Sequence, residues 1–225
     1  MNDRSNFDFA IDGAQLFKGA LIPCKAKLEA ALVGLPLDEA GTRIRNIGAL
    51  YPLLASDGCI GAVAASVLGE QSKPVRAILF NKSSETNWSL AWHQDRTICV
   101  KEKRQVHGFG PWTVKGGMHH VAPRFELLER MVTLRAHLDD VPASNAPLLI
   151  ASGSHTRGLI PVGEVNAVAK ECITRTCLAE AGDIWLYATP ILHSSDAAEK
   201  PSSRRVLQVD FVAEPLSGGL EWLGV

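Results

Sequence analysis

The sequence predicts a mainly β protein, a sandwich or barrel carrying a layer of helices on its N-terminal side. Three observations lead there. Apolar residues recur at helical intervals up to about residue 72 and at intervals of two from residue 73 onward. Clusters of Gly, Pro, Ser and Asn cut the second part into short segments. The chain has 225 residues, 46% of them hydrophobic, enough for a sizeable core in one domain over 1–225, with 1–72 as a helical flank and 73–215 as the strand-rich core. Helices first and strands afterwards place the helices outside a β core.

The elements follow in order. In "PCKAKLEAALVGL", Pro23 suits the first turn of a helix. "NIGALYPLLA" spaces Ile47, Leu50 and Leu54 helically, with Pro52 kinking or restarting the segment. "SDGCIGAVAASVLG" offers Ser56 or Asp57 as cap, a stripe of Ile60, Val63, Ala64 and Val67, and Gly69 as stop. "VRAILF" (75–80) is a short strand. "MVTLRAHLDDV" alternates Val132, Leu134, Ala136 and Leu138 with Thr133, Arg135, His137 and Asp139, a strand with one buried face. "APLLIASGSH", "GDIWLYA" and "RRVLQVDFVA" continue the series. No internal repeat or low-complexity linker interrupts it.

Charge and composition exclude several partners. There are 23 basic and 24 acidic residues and no basic block, so nucleic acid is not an expected partner. The longest apolar run, "CIGAVAASVLG" (59–69), is too short to cross a bilayer. "MNDRSNFDF" lacks the basic and apolar regions of a secretory signal. Five scattered cysteines, at 24, 59, 99, 172 and 177, read as reduced thiols in a cytoplasmic protein. Cys172 and Cys177 have no second pair to complete a zinc site and read as small buried apolar residues.

The chemistry rests on histidine and carboxylate, because phosphate-loop, dinucleotide-binding and nucleophile-elbow signatures are missing. In "SLAWHQDRTICV" (89–100), His93 and Asp95 stand two apart; on a strand they share a face while Gln94 points away. A metal bound by two imidazoles and one carboxylate on one face keeps its other positions open. His193, 100 residues after His93, supplies the third ligand from a distant strand. Arg204, eleven residues later, suits a forked grip on a carboxylate, and adjacent Arg205 must face the other way. His119 and His120 face opposite ways on a strand, His137 reads as solvent-facing or bonded to a neighbour, and His155 as bonding backbone or substrate. Trp88 and Trp92 read as core aromatics. The glycine-rich stretch 100–123 reads as a loop across the open end, with His107, His119, His120 and Lys115 either touching substrate or solvated.

H-x-D, a distant His and an Arg at +11 resemble the phytanoyl-CoA dioxygenase family of Fe(II)/2-oxoglutarate oxygenases. "FAIDGAQLFKGAL", "VRAILFNKSSETNWSLAWHQD", "ERMVTLRAHLDD", "NAPLLIASGSHTRG" and "GDIWLYATPILHSS…RRVLQVDF" are similar to the family's segments in the same order, over most of residues 7–222. Ala146 and Ala151 stand where members more often carry Gly and Pro, a change confined to a turn. The resemblance implies a double-stranded β-helix, a cupin-like jelly roll with flanking N-terminal helices. It implies Fe(II) on His93, Asp95 and His193, and Arg204 on the distal carboxylate of 2-oxoglutarate, helped by Ser195 and Thr97. Lys82, in "FNKSS", either approaches the cosubstrate's carboxylates or caps a strand end in water. With O2 as co-reactant, the implied reaction hydroxylates an unactivated C–H bond of a small or medium organic molecule and releases succinate and CO2. Absence of a basic cluster argues against a coenzyme A clamp. Two other classes share the hook: a cupin-like, non-oxidative metal enzyme and a non-catalytic metal-binding module.

Overall fold

In the computed structural model, which describes residues 7–36 and 38–225, the Asp8 carboxylate accepts from the N–H groups of Ala10 and Ile11 and so caps helix α1 (Phe9–Asp12). Most of "MNDRSNFDF" lies outside the described residues. Strand β1 (Ala14–Phe17) follows, then a 3-10 turn containing Pro23 that runs into α2 (Lys25–Ala31). β2 (Gly41–Ile44), α3 (Tyr51–Leu54) and α4 (Gly61–Leu68) come next; Pro52 starts α3, and Gly69, at φ 83, ends α4. Neither Ser56 nor Asp57 caps α4. The chain turns once more first, at Gly58, and packs onto α3 so closely that a Cβ at Gly61 would lie 1.9 Å from the Ala55 carbonyl oxygen.

The strand series then runs β3 (Lys73–Lys82), β4 (Leu90–His93), β5 (Ile98–Val100), β6 (Trp112–Lys115) and β7 (Met118–Val121). After the short α5 (Phe125–Glu129) come β8 (Met131–His137) and β9 (Leu148–Ala151). α6 (Val165–Glu171) precedes β10 (Thr174–Cys177), β11 (Ile184–Ala188), β12 (His193–Ser195) and β13 (Arg204–Val212).

Two antiparallel sheets make the jelly roll. One has the order β1-β11-β8-β13-β3-β2, the other β10-β9-β12-β4. Trp185, Tyr187 and Ala14 of the first pack with Leu148, Ile150 and Cys177 of the second. The opposite face of the larger sheet carries Ala77, Leu79, Leu134, Leu207, Val209 and Phe211, which bury Leu28, Leu50, Leu54 and Ile60 of the helical layer. The region before residue 73 is therefore more than a helical flank, since β1 and β2 close both edges of the larger sheet.

Three further expectations change. β8 is buried on both faces, because its polar side lines the interior of the roll while its apolar side meets the helices. Cys24 and Cys59 form a disulfide, Cα atoms 6.5 Å apart, tying the start of α2 to the approach to α4; Cys99, Cys172 and Cys177 are free. Their separation of 35 residues left no local signature. Within the stretch 100–123, residues 101–111 are irregular, but 112–121 form a hairpin, β6 and β7, which pairs with β5 in a third sheet and turns at Gly116 and Gly117 with φ 55 and 72. Among the described residues, no helix is long and apolar enough to cross a membrane.

Candidate metal centre

β12 lies between β9 and β4, and its register sets His193 directly opposite His93. The two rings stand 4.2 Å apart between centroids. Each Nδ1 is used locally: that of His93 donates to the Ala91 carbonyl at 2.8 Å, that of His193 to the Ile191 carbonyl at 3.0 Å. This fixes the tautomer and leaves both Nε2 lone pairs free for a cation. β4 ends at His93, so Asp95 sits just beyond the strand, yet ligand atoms of His93, Asp95 and His193 all lie within 4.8 Å of one another. Gln94 points away, as its neighbours require. Its Nε2 donates to the carbonyls of Gly158 (3.0 Å) and Pro190 (2.9 Å), and its Oε1 accepts from Ile160 N–H at 3.0 Å.

Electrostatics hold this group in ligand form. Burial pushes the Asp95 carboxyl upward, but Arg76 and the two imidazoles outweigh it, so its pKa falls below the usual value. Arg76 lies 3.5 Å from Asp95 and donates through Nε to Asp210 at 2.5 Å. Burial raises Asp210, which also accepts from Thr133 at 3.1 Å. Burial lowers His193 to about 4, which favours the neutral imidazole a metal needs.

A cavity of about 130 Å³ runs from this trio to Arg204, lined also by Arg76, Arg135, Phe80, Trp88, Leu148, Ser195 and Gln208. Arg204 is 3% exposed; its Nη1 donates to the carbonyls of Asn145 (3.2 Å) and Ala146, while its Nε has no partner. Lys82 pairs with Arg204 across β3 and β13. It is fully buried, donates to the Asp196 carbonyl at 2.7 Å and lies 4.9 Å over the Trp88 ring. Burial, with Arg204 and Arg135 close by, lowers its pKa to about 8. Ser195 lines the cavity, its hydroxyl donating to Ala146 O at 3.3 Å.

The fold thus brings His93, Asp95, His193, Arg204 and Ser195 onto one cavity with Lys82 behind it, and leaves Thr97 off the cavity wall. Lys82 caps nothing in water. Trp88, read as a core aromatic, lines the site, and none of His107, His119, His120 or Lys115 does. His120 is buried and bonded to Met118 O at 3.0 Å. His155 packs on Gly13, where a Cβ would come within 2.4 Å of its ring. His137 is corrected most. It is 4% exposed, and burial beside Arg135 and Arg204 lowers its pKa to about 3.

The residues missed were Arg76 and Arg135. Both sit on strands whose apolar partners dominate the pattern, so only the alternation Arg76, Ile78, Phe80, Lys82 marks an inward face.

The profile of the family described as Phytanoyl-CoA dioxygenase (PhyH) matches residues 53–206. The chain belongs to the phytanoyl-CoA dioxygenase family. Among solved structures it is similar to HygX from Streptomyces hygroscopicus with nickel and 2-oxoglutarate bound, at 15% identity and a TM-score of 0.60, covering 91% of this chain and 84% of that one. EctD from S. alaskensis with bound Fe gives 19% identity and a TM-score of 0.63 over 100% and 81% of the two chains. SnoN, a non-heme alpha ketoglutarate dependent epimerase from nogalamycin biosynthesis, gives 16% identity and a TM-score of 0.63 over 91% and 77%. At these identities the likeness shows the jelly-roll fold. A comparison with curated protein sequences finds no match.

Proposed function

We propose that this family member is an Fe(II)- and 2-oxoglutarate-dependent oxygenase that hydroxylates an unactivated C–H bond of a small or medium organic molecule. The observation that carries the reading is the trio His93, Asp95 and His193, with both Nδ1 atoms committed to backbone carbonyls and both Nε2 atoms free. Two neutral imidazoles and one anionic carboxylate on one side fit a ferrous ion that keeps open positions. When bound, that ion with O2 supplies the oxidation: 2-oxoglutarate becomes succinate and CO2, taking one oxygen atom, and the other enters the substrate's C–H bond.

The protein's part is to bind, orient and shield. Arg76 keeps Asp95 ionised and aimed, and Asp210 holds Arg76 in place. Arg204, anchored by two carbonyls, presents its remaining N–H groups to the distal carboxylate, with Ser195 beside it. Lys82 adds positive charge behind them. The apolar wall of Phe80, Trp88, Leu90 and Leu148 keeps water away from the reacting end.

The similarity to an epimerase keeps open a different outcome from the same oxidative site. A non-oxidative enzyme or a binding module would make no succinate. Purified protein should bind one Fe(II) and form succinate from 2-oxoglutarate with O2 consumed, and His93→Ala, Asp95→Ala or His193→Ala should each remove most metal affinity. Metal found elsewhere in a crystal grown with Mn(II), or no succinate under any substrate screened, would sink the assignment.

A further inference from the structure

Arg135 is not used by the account above. It lies on β8 opposite Gln208 of β13, lines the cavity and is 9% exposed. Its Nη1 donates to Gln208 Oε1 at 3.1 Å, an oxygen that also accepts from the Tyr187 hydroxyl at 3.3 Å. Its guanidinium stands 5.4 Å from the Phe80 ring centroid. Its Nε is buried without a partner, as is that of Arg204. Among the described residues neither arginine, nor Lys82, forms an ion pair, whereas Arg76 already has both Asp95 and Asp210. Buried charges left uncompensated are costly, so two guanidiniums that line one cavity without a carboxylate partner call for an anionic guest.

Position distinguishes the two arginines. Along β13, Asp210, Gln208 and Arg204 succeed one another on the inward face. Asp210 holds Arg76 at the metal end, and Arg204 marks the far end. Arg135, level with Gln208, stands between them, close enough to Asp95 and His193 to influence both.

We propose that Arg135 is a second cosubstrate-holding residue, pairing with the carboxylate next to the ketone of 2-oxoglutarate while Arg204 holds the distal one. This rests on the reading of the cavity as a 2-oxoglutarate site. Each guanidinium then gains the anionic partner it lacks. Neutralising the near carboxylate fixes the orientation in which the 2-oxo acid end faces the trio.

The test uses the full chain loaded with Fe(II) without oxygen, titrated separately with 2-oxoglutarate and with 2-oxovalerate, which lacks the distal carboxylate. The metal-to-ligand charge-transfer band reports binding. Arg135→Met should weaken both probes about equally, roughly ten- to a hundred-fold. Arg204→Met should weaken 2-oxoglutarate and leave 2-oxovalerate almost unchanged. Arg135→Lys, which keeps the charge, should recover most of the affinity for both and serves if the Met variant does not fold. Loss confined to 2-oxoglutarate in the Arg135 variants would overturn the proposal, since both arginines would then share the distal carboxylate. Unchanged affinity for both probes would overturn it too, leaving Arg135 as packing or as a partner for an anionic prime substrate. A wild-type protein that takes up Fe(II) but gives no band with either probe would instead defeat the underlying cosubstrate reading.

Discussion

Arg204 and Arg205 are neighbours on β13, and the strand sends one to each side of the larger sheet. Arg205 goes outward with Leu207, Val209 and Phe211, among the helices. Its guanidinium meets Asp139 at 2.7 Å and Glu29 at 3.3 Å, and those carboxylates hold its pKa above the usual value, side-chain hydrogen bonding to Asp139 first among the causes. Arg204 goes inward with Gln208 and Asp210, has only carbonyls as partners, and burial next to Arg135 lowers its pKa. The outer face settles its charge within the fold. The inner face leaves positive charge over, which is what a site for an anion requires and what a purely structural core avoids.

The largest effect should come from exchanging roles across that strand. Arg204→Met should raise the 2-oxoglutarate requirement by about thirty- to a thousand-fold, on the order of 2–4 kcal/mol for a lost charge-assisted, forked contact, while Fe(II) binding stays nearly intact. Arg205→Met should leave cosubstrate affinity unchanged and cost roughly 1 kcal/mol of stability at most, because its ion pairs are partly exposed. Anaerobic titration of both variants, with urea unfolding alongside, separates the two. If Arg205→Met abolished the charge-transfer band and Arg204→Met kept it, the contrast between the faces would be reversed.

A second effect follows from the inner face's histidines. His137 is lowered to about 3 and His193 to about 4, both chiefly by burial. Between those values and the ordinary histidine value near 6.5, the unfolded chain takes up protons that the folded chain refuses. Stability of the metal-free protein should therefore fall as pH drops through this window, by up to ~1.4 kcal/mol per pH unit for each histidine. Both nitrogens of His137 are also buried without partners. His137→Leu should flatten the slope and raise stability at pH 5, as measured by urea unfolding at pH 5 and 7. An unchanged slope would mean that His137 does not resist protonation in the folded chain.

These residues also mark where the sequence was legible. Period-two alternation revealed β3, β8 and β13, because it is a local signal. H-x-D is local too, whereas His193, 100 residues further on, was reached through its residue type and its spacing to Arg204. Alternation also separated Arg204 from Arg205, through the apolar company that Arg205 keeps. What alternation could not say is whether the polar side of a strand meets water or a second sheet. His137 and Arg135 on β8 look like a solvated face until β9 and β12 are laid over them, and Lys82 looks like a strand end in water until Trp88 covers it. The edge strand β2 was hidden for a similar reason, being four residues long and identified by its partner rather than its own pattern. β1 lies in "FAIDGAQLFKGAL" and was foreseen only through that segment's resemblance to the family's opening strand.

The smallest effect concerns the turn that anchors Arg204. Ala146 is 4% exposed and lies at φ 50, left-handed backbone that L residues enter at a cost of ~1–2 kcal/mol. Glycine removes that strain but loses ~0.4–1 kcal/mol through greater freedom of the unfolded chain, so Ala146→Gly should stabilise by no more than ~1.6 kcal/mol. The carbonyl of Ala146, which accepts from Arg204 and from Ser195, is unaffected by the substitution. Cosubstrate affinity should accordingly stay within roughly twofold, since the backbone acceptors of a charge-assisted contact remain in place. Thermal unfolding and the same anaerobic titration read the two quantities independently. A tenfold loss of affinity in a variant of equal or greater stability would show that the rigidity of this turn, and not its carbonyls alone, holds the guanidinium in place. The boundary between settled and idle charge would then run through the 145–146 turn rather than along β13.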